Sequence, residues 1–228
     1  MTNHDNATTL ILLRHGETEW NLSGRWQGQA MDTDLSDRGR EQARIVAQRL
    51  QTYPFGAIYS SDLKRAWDTA CIVGDQVGMQ PVADAALRES DIGVWTGMTW
   101  EEILARFPDE MAAMMAGEDI RRGGGESMSE LTSRLAAAVE RIAAAHPGET
   151  VLLVSHGAAL RSIVAHALQA SLSQMQRIAI GGNTAISVLR VSDGRMRLVS
   201  YNDTAHLDGG AAFRVANAEG DQSSGGTQ

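Results

Sequence analysis

Cysteine is almost absent from this sequence, since Cys71 is the only one among 228 residues. A single cysteine excludes an internal disulfide framework and fits a reducing compartment. The chain also has no apolar stretch approaching the roughly 20 residues that a membrane span requires, and its polar start lacks the features of a signal peptide. We therefore expect a soluble cytoplasmic protein with no membrane partner.

Positive charge is scarce as well. The chain has 28 aspartates and glutamates but only 20 lysines and arginines, which gives a net charge of −8 and an isoelectric point near 5.2. This balance argues against non-specific binding to nucleic acid or to an anionic membrane. It does not exclude a small anionic substrate, because a few arginines focused in a cleft can outweigh a distant negative surface.

Few gaps rich in glycine or proline interrupt the chain, so we predict one domain over residues 10–207. Predicted strands alternate with predicted helices, which is typical of an α/β fold: a three-layer α/β/α sandwich with a mostly parallel central sheet. The polar residues 1–9 predict a flexible N-terminus. Over residues 208–228 the composition turns to Gly, Ala, Ser, Gln and Asn, which predicts a mobile C-terminal tail.

Apolar runs, helical periodicity and turn residues place the elements along the chain. Strands are predicted at residues 10–13, 57–60, 80–83, 150–154, 184–191 and 195–201, and the last two form a hairpin. Helices are predicted at residues 37–51 and 158–168. Of four further helices, one begins after residue 62, one ends at about residue 106, one begins at residue 108 and one begins after residue 127. The predicted N-caps are Ser36, the pair Ser61 and Asp62, Thr99 and Ser127.

The most informative stretch is the apolar run 10–13, which ends in Arg14-His15-Gly16. The run is too short for a helix and predicts a buried central strand that delivers a cation and an imidazole to the rim of the sheet. Ligands of open α/β sheets bind in the crevice beyond the strand ends, and Gly16 would let a ligand approach closely. Taken by itself, this stretch is also explained by a surface arginine beside an ordinary histidine. The pattern returns, however, at residues 151–157, where a second apolar run ends in His156-Gly157.

These residue types suit phosphoryl transfer. A neutral imidazole is a good nucleophile toward phosphorus, so His15 can form a phosphohistidine, and arginine forks bind phosphoryl oxygens. Arg65 falls in the first turn of a predicted helix, where a cation is misplaced unless it serves an anion. Glu89 could protonate a leaving oxygen and then activate water, although its local sequence alone favours an ordinary surface carboxylate.

Four separated motifs, from about Leu10 to Leu207, resemble the histidine phosphatase superfamily, also called the phosphoglycerate-mutase-like proteins. They are Arg14-His15-Gly16-Glu17, the segment 60–66 around Arg65, the loop at Glu89, and Ser155-His156-Gly157. The resemblance implies that His15 is the nucleophile, Glu89 the proton donor and His156 the second catalytic histidine. It further implies phosphate binding by Arg14, Arg65 and Asn21, substrate contact by Gln27, and no required metal or cofactor.

The resemblance favours a phosphatase of a small phosphorylated metabolite over a phosphoglycerate mutase. Mutases of this family carry a tyrosine shortly after the acid and a lysine farther on, and Ile92 and Trp100 stand at those places here. The chain also lacks much of the long insertion that those mutases have before the second His-Gly strand. Arg121 and Arg122 could nevertheless bind a substrate carboxylate, so the cofactor-dependent mutase stays open as an alternative.

Two hypotheses from other classes also remain. A non-catalytic module could bind phosphate esters in the same pocket, although no charged member of the motifs is missing. A metallohydrolase could use His15 and His156 as ligands, but acidic metal ligands have no motif and Arg14 would repel a cation. The sequence leaves the particular phosphate ester open, and likewise the oligomeric state, a homodimer included.

Overall fold

The computed structural model describes residues 6–208, and one sheet runs through this part of the chain. Its strands are β1 (Thr8–Arg14), β2 (Phe55–Ser60), β3 (Val82–Ala83), β4 (Thr150–Ser155), β5 (Ile186–Ser192) and β6 (Arg195–Asp203). They lie in the order β3-β2-β4-β1-β5-β6. The first four are parallel to one another, and β5 and β6 run antiparallel at one side. The predicted mostly parallel sheet is confirmed.

Eight α-helices lie within the described residues. They are α1 (Glu19–Leu22), α2 (Asp37–Leu50), α3 (Lys64–Val77), α4 (Trp100–Arg106), α5 (Pro108–Met115), α6 (Met128–Ala145), α7 (Gly157–Ala167) and α8 (Leu172–Met175). Side chains of α6 and α7 pack on one face of the sheet, and side chains of α2 and α3 pack on the other. The predicted three-layer α/β/α sandwich is therefore confirmed.

Strand β1 shows why its sequence is apolar at every central position. Leu10 and Leu12 point into the layer of α6 and α7, whereas Ile11 and Leu13 point into the layer of α2 and α3. All four side chains are fully buried, because successive residues of a strand face opposite sides and both sides are covered. Each such side chain contributes about 1.5–3 kcal/mol through burial.

The predicted helix starts are correct at three of four places. Ser36, Thr99 and Ser127 each accept a hydrogen bond from a backbone N–H of the first turn, and Thr99 and Ser127 form the predicted capping boxes. The prediction for α3 is wrong, because its N-cap is Leu63, which offers no side-chain acceptor.

Ser61 and Asp62 do not cap α3 because their side chains have other partners. The Ser61 hydroxyl accepts from the N–H of Leu63 and lies 2.8 Å from Nε2 of His156. Asp62 accepts two hydrogen bonds from the guanidinium of Arg88.

The first strand begins earlier than its apolar run. Thr8 and Thr9 belong to β1 and not to a flexible segment, because the Thr8 hydroxyl donates to the carbonyl oxygens of Ala143 and His146. Residues 1–5 of the predicted flexible N-terminus and 209–228 of the predicted tail lie outside the described residues. The predicted hairpin is present between β5 and β6. No helix of residues 6–208 is both long and apolar enough to cross a membrane.

Candidate active site

Strands β1, β2 and β4 are parallel, so their carboxyl ends meet at one edge of the sheet. His15 follows β1, His156 follows β4, and Ser61 follows β2. The two imidazole rings lie 5.2 Å apart between centroids, inclined by 56°, and both histidines are buried. The two strand–His–Gly motifs that stand far apart in the sequence therefore meet in one site.

At both motif glycines, Gly16 and Gly157, a Cβ would collide with other protein atoms. A Cβ on Gly16 would lie 2.5 Å from the carbonyl oxygen of Gly39 in α2. The predicted role of Gly16, room for a ligand, is therefore wrong, since the residue makes room for a helix. A Cβ on Gly157 would lie 2.8 Å from the Ile180 side chain and 3.5 Å from the Arg14 guanidinium. Gly157 thus makes room for the Ile180 side chain, whereas its distance to Arg14 is an ordinary contact.

His15 is held as a neutral imidazole with one free nitrogen. Its Nδ1 lies 2.7 Å from the carbonyl oxygen of Gly16, and because a carbonyl only accepts, Nδ1 carries the proton. Burial, followed by the charges of Arg65 and Arg14, holds the pKa of His15 well below 6.5. Nε2 therefore keeps its lone pair, and His15 lines the cavity described below.

Arg14 and Arg65 bring two guanidinium groups to the same place. Arg14 donates to the carbonyl oxygen of Gly181, and its buried Nε has no partner among the described residues. Arg65 is 1% exposed and donates from Nη2 to the carbonyl oxygen of Gly28 at 2.8 Å, while its buried Nε and Nη1 have no hydrogen-bond partner there. Burial lowers the pKa of both groups, to about 10 for Arg65. Nη1 of Arg65 lies 4.0 Å from Oδ1 of Asp32, beyond hydrogen-bond distance. Buried donors without a hydrogen-bond partner are suited to an anion.

Glu89 is positioned by the start of helix α7. That helix begins after His156 without a side-chain cap, and Glu89 accepts from the backbone N–H groups of Ala158 and Ala159, both at 3.0 Å. A carboxylate at a helix N-terminus satisfies orphan donors and complements the helix dipole. The main-chain oxygen of Glu89 accepts from Gln29 at 2.8 Å. Glu89 is therefore a fixed member of the cavity wall and not a free surface side chain.

Asn21 and Gln27 also line the cavity, as the sequence predicts. Asn21 lies in α1, and its Oδ1 accepts from the N–H of Thr18 and from the side-chain amide of Asn183, both at 3.1 Å. With its oxygen so occupied, Asn21 has its NH₂ group left to donate. Gln27 accepts from the Thr33 hydroxyl at 2.8 Å through its Oε1, so its own NH₂ group is likewise the free end.

His156 lies beneath this wall, fully buried. Its Nε2 contacts the Ser61 hydroxyl, and its buried Nδ1 has no hydrogen-bond partner within residues 6–208. Burial, then the charges of Arg65, His15 and Arg14, holds the pKa of His156 well below 6.5. The second histidine is therefore neutral as well.

Arg121 and Arg122, which precede Gly123-Gly124-Gly125, point in different directions. Arg122 is buried and lines the cavity. Arg121 does not reach the cavity, since it donates to the carbonyl oxygen of Gly125 and pairs with Glu130 at the start of α6. The structure thus brings one of these two predicted substrate contacts to the site and leaves the other outside.

One cavity of about 500 Å³ is lined by most of these groups, namely Arg14, His15, Asn21, Gln27, Arg65, Glu89 and Arg122. Its charged lining consists of five arginines and two glutamates, an excess of three positive charges in a chain of net charge −8. The lining also includes apolar side chains, those of Trp26, Ile92, Trp100, Met114, Met115, Leu172, Met175 and Ile180. A cavity with both cationic and apolar lining fits an organic phosphate ester.

The fold and this site define the class of the protein, an α/β enzyme of phosphate-ester chemistry. Residues 10–204 match the profile of the histidine phosphatase superfamily, branch 1. Phosphoserine phosphatase 1 of Hydrogenobacter thermophilus is 33% identical over 199 residues, which cover 87% of this chain and 93% of that protein. The metal-independent phosphoserine phosphatase of Arabidopsis thaliana is 36% identical over 206 residues, 88% of this chain and 84% of that protein.

This chain is also similar to a solved structure of a phosphatase. The mycobacterial glucosyl-3-phosphoglycerate phosphatase in complex with VO3 superposes with a TM-score of 0.79 at 33% identity, covering 86% of this chain and 99% of that one. The chain therefore belongs to the histidine phosphatase superfamily, and the family predicted from its motifs is confirmed. It is a phosphatase of the histidine type.

Sequence reasoning missed three residues of the site. Arg161 lines the cavity from α7, Asn183 holds Asn21, and Ser61 holds His156. Only Arg161 left a usable signal, because it lies four residues, about one helical turn, after Gly157 of the second motif. Within residues 6–208 no three His, Cys, Asp or Glu side chains cluster as a metal site would.

Proposed function

We propose that this protein hydrolyses phosphomonoesters of small metabolites, with His15 as nucleophile, Glu89 as acid and base, and Arg14, Arg65 and Asn21 as the phosphate-binding groups. The observation that carries this assignment is the state of His15. Its Nδ1 proton is committed to the Gly16 carbonyl oxygen, which leaves Nε2 unprotonated beside two guanidiniums that have unpaired buried nitrogens.

In the first step, Nε2 of His15 attacks phosphorus as the P–O bond to the alcohol breaks. Glu89 gives its proton to the leaving oxygen, and the arginines stabilise the charge on the equatorial oxygens. The acidic proton fits Oε2, which accepts one hydrogen bond, whereas Oε1 accepts two. In the second step the carboxylate takes a proton from water, the water oxygen attacks phosphorus, and the P–N bond returns its electron pair to Nε2.

His156 supports the same step from below. Its Nδ1 has no partner among the described residues and its ring lies 5.2 Å from that of His15. We propose that a phosphoryl group on His15 brings an oxygen within its reach, as the resemblance to the family implies. Gln27 and Arg122, which line the same cavity, contact the alcohol part of the substrate in this proposal.

A screen of phosphomonoesters, scored by released inorganic phosphate, tests the assignment. Relatives are named for phosphoserine and glucosyl-3-phosphoglycerate, so these two esters and 3-phosphoglycerate belong in it. We expect phosphate release that the His15→Ala variant loses. Supplying 3-phosphoglycerate with a trace of 2,3-bisphosphoglycerate tests the mutase alternative, and isomerisation much faster than any hydrolysis would decide for it.

The metallohydrolase hypothesis has its own test. Activity that survives extended dialysis against EDTA is the expected result, since arginines supply the positive charge that a metal would otherwise provide. Loss of activity that added divalent metal restores would assign His15 and His156 as ligands instead.

A single domain over residues 10–207 and a cytoplasmic location also remain proposals, the latter supported by the single cysteine, Cys71.

A further inference from the structure

The loop that carries Glu89 is held along its main chain. Four consecutive carbonyl oxygens accept hydrogen bonds from side chains outside the loop, those of Ala86, Leu87, Arg88 and Glu89. The Leu87 oxygen accepts from the Ser155 hydroxyl at 2.7 Å. The other three accept from one group, the guanidinium of Arg134 in α6, at 2.8, 3.2 and 3.3 Å in chain order. A single side chain therefore fixes most of this stretch of backbone.

Arg134 is itself fixed by Glu126. The two side chains form a bidentate pair, in which Nε of Arg134 lies 3.0 Å from Oε1 and Nη2 lies 2.8 Å from Oε2 of Glu126. Pairs of this kind fix the plane of the guanidinium. Both side chains are largely buried, with 25% of Arg134 and 15% of Glu126 exposed. Unlike Arg14 and Arg65, Arg134 lies outside the cavity lining and donates from all three of its nitrogens to protein oxygens.

The carboxyl of Glu89 depends on the position of this backbone. Its Oε2 accepts from the N–H of Ala158 and its Oε1 from the N–H of Ala159, both at 3.0 Å, while Oε1 also accepts from the N–H of Ser90 at 2.9 Å. A shift of the loop would carry the carboxyl away from these donors and from the ester oxygen. A misplacement of about 1 Å in a reacting group can cost on the order of 10² in rate.

We propose that Arg134 is a positioning residue of the reaction, which holds three carbonyl oxygens of the loop and so keeps the Glu89 carboxyl at the start of α7, where it protonates the leaving oxygen. The inference rests on the proposed function for the role of Glu89 as the acid. The placement of Glu89 follows from the contacts of Arg134 alone. Because Arg134 does not contact the cavity, its loss should impair proton transfer and spare phosphate binding.

Arg134→Gln tests the effect on the reaction, because it removes the guanidinium from all three carbonyl oxygens. We expect kcat/KM to fall about tenfold to a hundredfold for alkyl phosphates and little for an activated aryl phosphate, which hardly needs an acid. The Ki of inorganic phosphate should stay nearly unchanged. In the Glu89→Gln background the same substitution should cost little more, since residues that act as a unit are not additive.

Arg141→Gln is the matched control. Arg141 lies about two helical turns farther along α6 and pairs with Asp84, which precedes the four held carbonyl groups. Its replacement should leave the rates with both kinds of ester unchanged. If Arg134→Gln does not fold, Arg134→Lys, which keeps the charge but not the planar fork, serves for the same comparisons.

Amide hydrogen exchange followed by NMR measures the placement of Glu89 without any substrate. The N–H groups of Ala158 and Ala159 lie in the first turn of α7, where a helix offers no acceptor of its own, and the Glu89 carboxylate is their partner. Their exchange should become faster in Arg134→Gln and stay as it was in Arg141→Gln.

Two results would overturn the proposal. One is unchanged exchange at these two amides in Arg134→Gln. The other is an equal loss with alkyl and aryl phosphates in Arg134→Gln when Glu89→Gln shows an unequal one. Faster exchange together with equal losses in both variants would support the positioning of Glu89 by Arg134 and reject only the proposed role of Glu89 as the acid.

Discussion

The side-chain amide of Asn183 donates to the main-chain carbonyl oxygen of His15 and to Oδ1 of Asn21, both at 3.1 Å. The N–H of Thr184 reaches the same carbonyl at 3.3 Å. Arg14 donates to the carbonyl oxygen of Gly181 in the same loop. The loop between α8 and β5 therefore holds three phosphate-site residues from outside the cavity.

Replacing Asn183 by aspartate tests this support. The change keeps the shape but removes both donated hydrogen bonds and places an acceptor opposite two acceptors, which costs about 1–3 kcal/mol. We expect kcat to fall about tenfold or more while the cavity still binds phosphate, measured as the Ki of inorganic phosphate. Gln76→Glu is the control, since it is the same kind of amide-to-acid change at an exposed hydrogen bond on α3. An unchanged kcat would leave Asn183 without a positioning role.

Glu89→Gln should slow the enzyme in a way that depends on the leaving group. An amide cannot donate a proton as a carboxylic acid does, so alkyl phosphates should lose on the order of 10²–10⁴ in kcat/KM, which reports phosphoryl transfer to His15, whereas an activated aryl phosphate hardly needs the proton. The control is Glu118→Gln, which changes the other glutamate that lines the cavity. Equal losses for aryl and alkyl substrates would remove Glu89 from the acid role.

The protonation of His15 gives a prediction that needs no substrate. Because burial and the charges of Arg65 and Arg14 lower its pKa, the imidazolium forms only in more acidic solution. At pH 6.5, where an unperturbed histidine is half protonated, NMR should show the His15 ring in its neutral form. Arg65→Gln removes one cause of the shift, so the midpoint should move upward.

Arg25→Gln serves as the comparison for that titration. Arg25 lines the same cavity but pairs with Glu102, and it is not among the charges that shift His15. Its removal should leave the midpoint where it was. A midpoint near 6.5 in the unmodified protein would contradict the neutral nucleophile.

The parts of the fold that could be predicted are those with a local signal. Residues 10–13 and 150–154 are apolar at every central position because both faces of β1 and β4 are covered, and this pattern identifies central strands without any partner. Arg14, His15 and His156 follow these strands directly, so their convergence at one sheet edge could be expected as well.

The remainder depends on contacts between distant segments. Asn183 meets His15 across 168 residues of sequence, and nothing around Asn183 signals that contact. Arg121 and Arg122 are adjacent residues of the same type, yet only Arg122 enters the cavity. Arg122 begins a turn that contains Gly123 at φ 55°, where a Cβ would lie 2.4 Å from the carbonyl oxygen of Ile92. This turn packs against the loop that follows Glu89, and this packing determines which arginine enters the cavity. The loop has no periodicity, so the sequence does not predict the contact.

The most direct test of His15 as the nucleophile is to trap the covalent intermediate. A radiolabelled phosphomonoester that the enzyme hydrolyses is mixed with it and quenched within one turnover, and the label on the protein is then exposed to acid and to alkali. We expect acid-labile, alkali-stable label, as for a phosphorus–nitrogen bond, that is absent in His15→Ala. With an activated aryl phosphate, which needs no acid, the label should accumulate in Glu89→Gln, where water lacks its base. Acid-stable label, or label that persists in His15→Ala, would contradict His15 as the nucleophile.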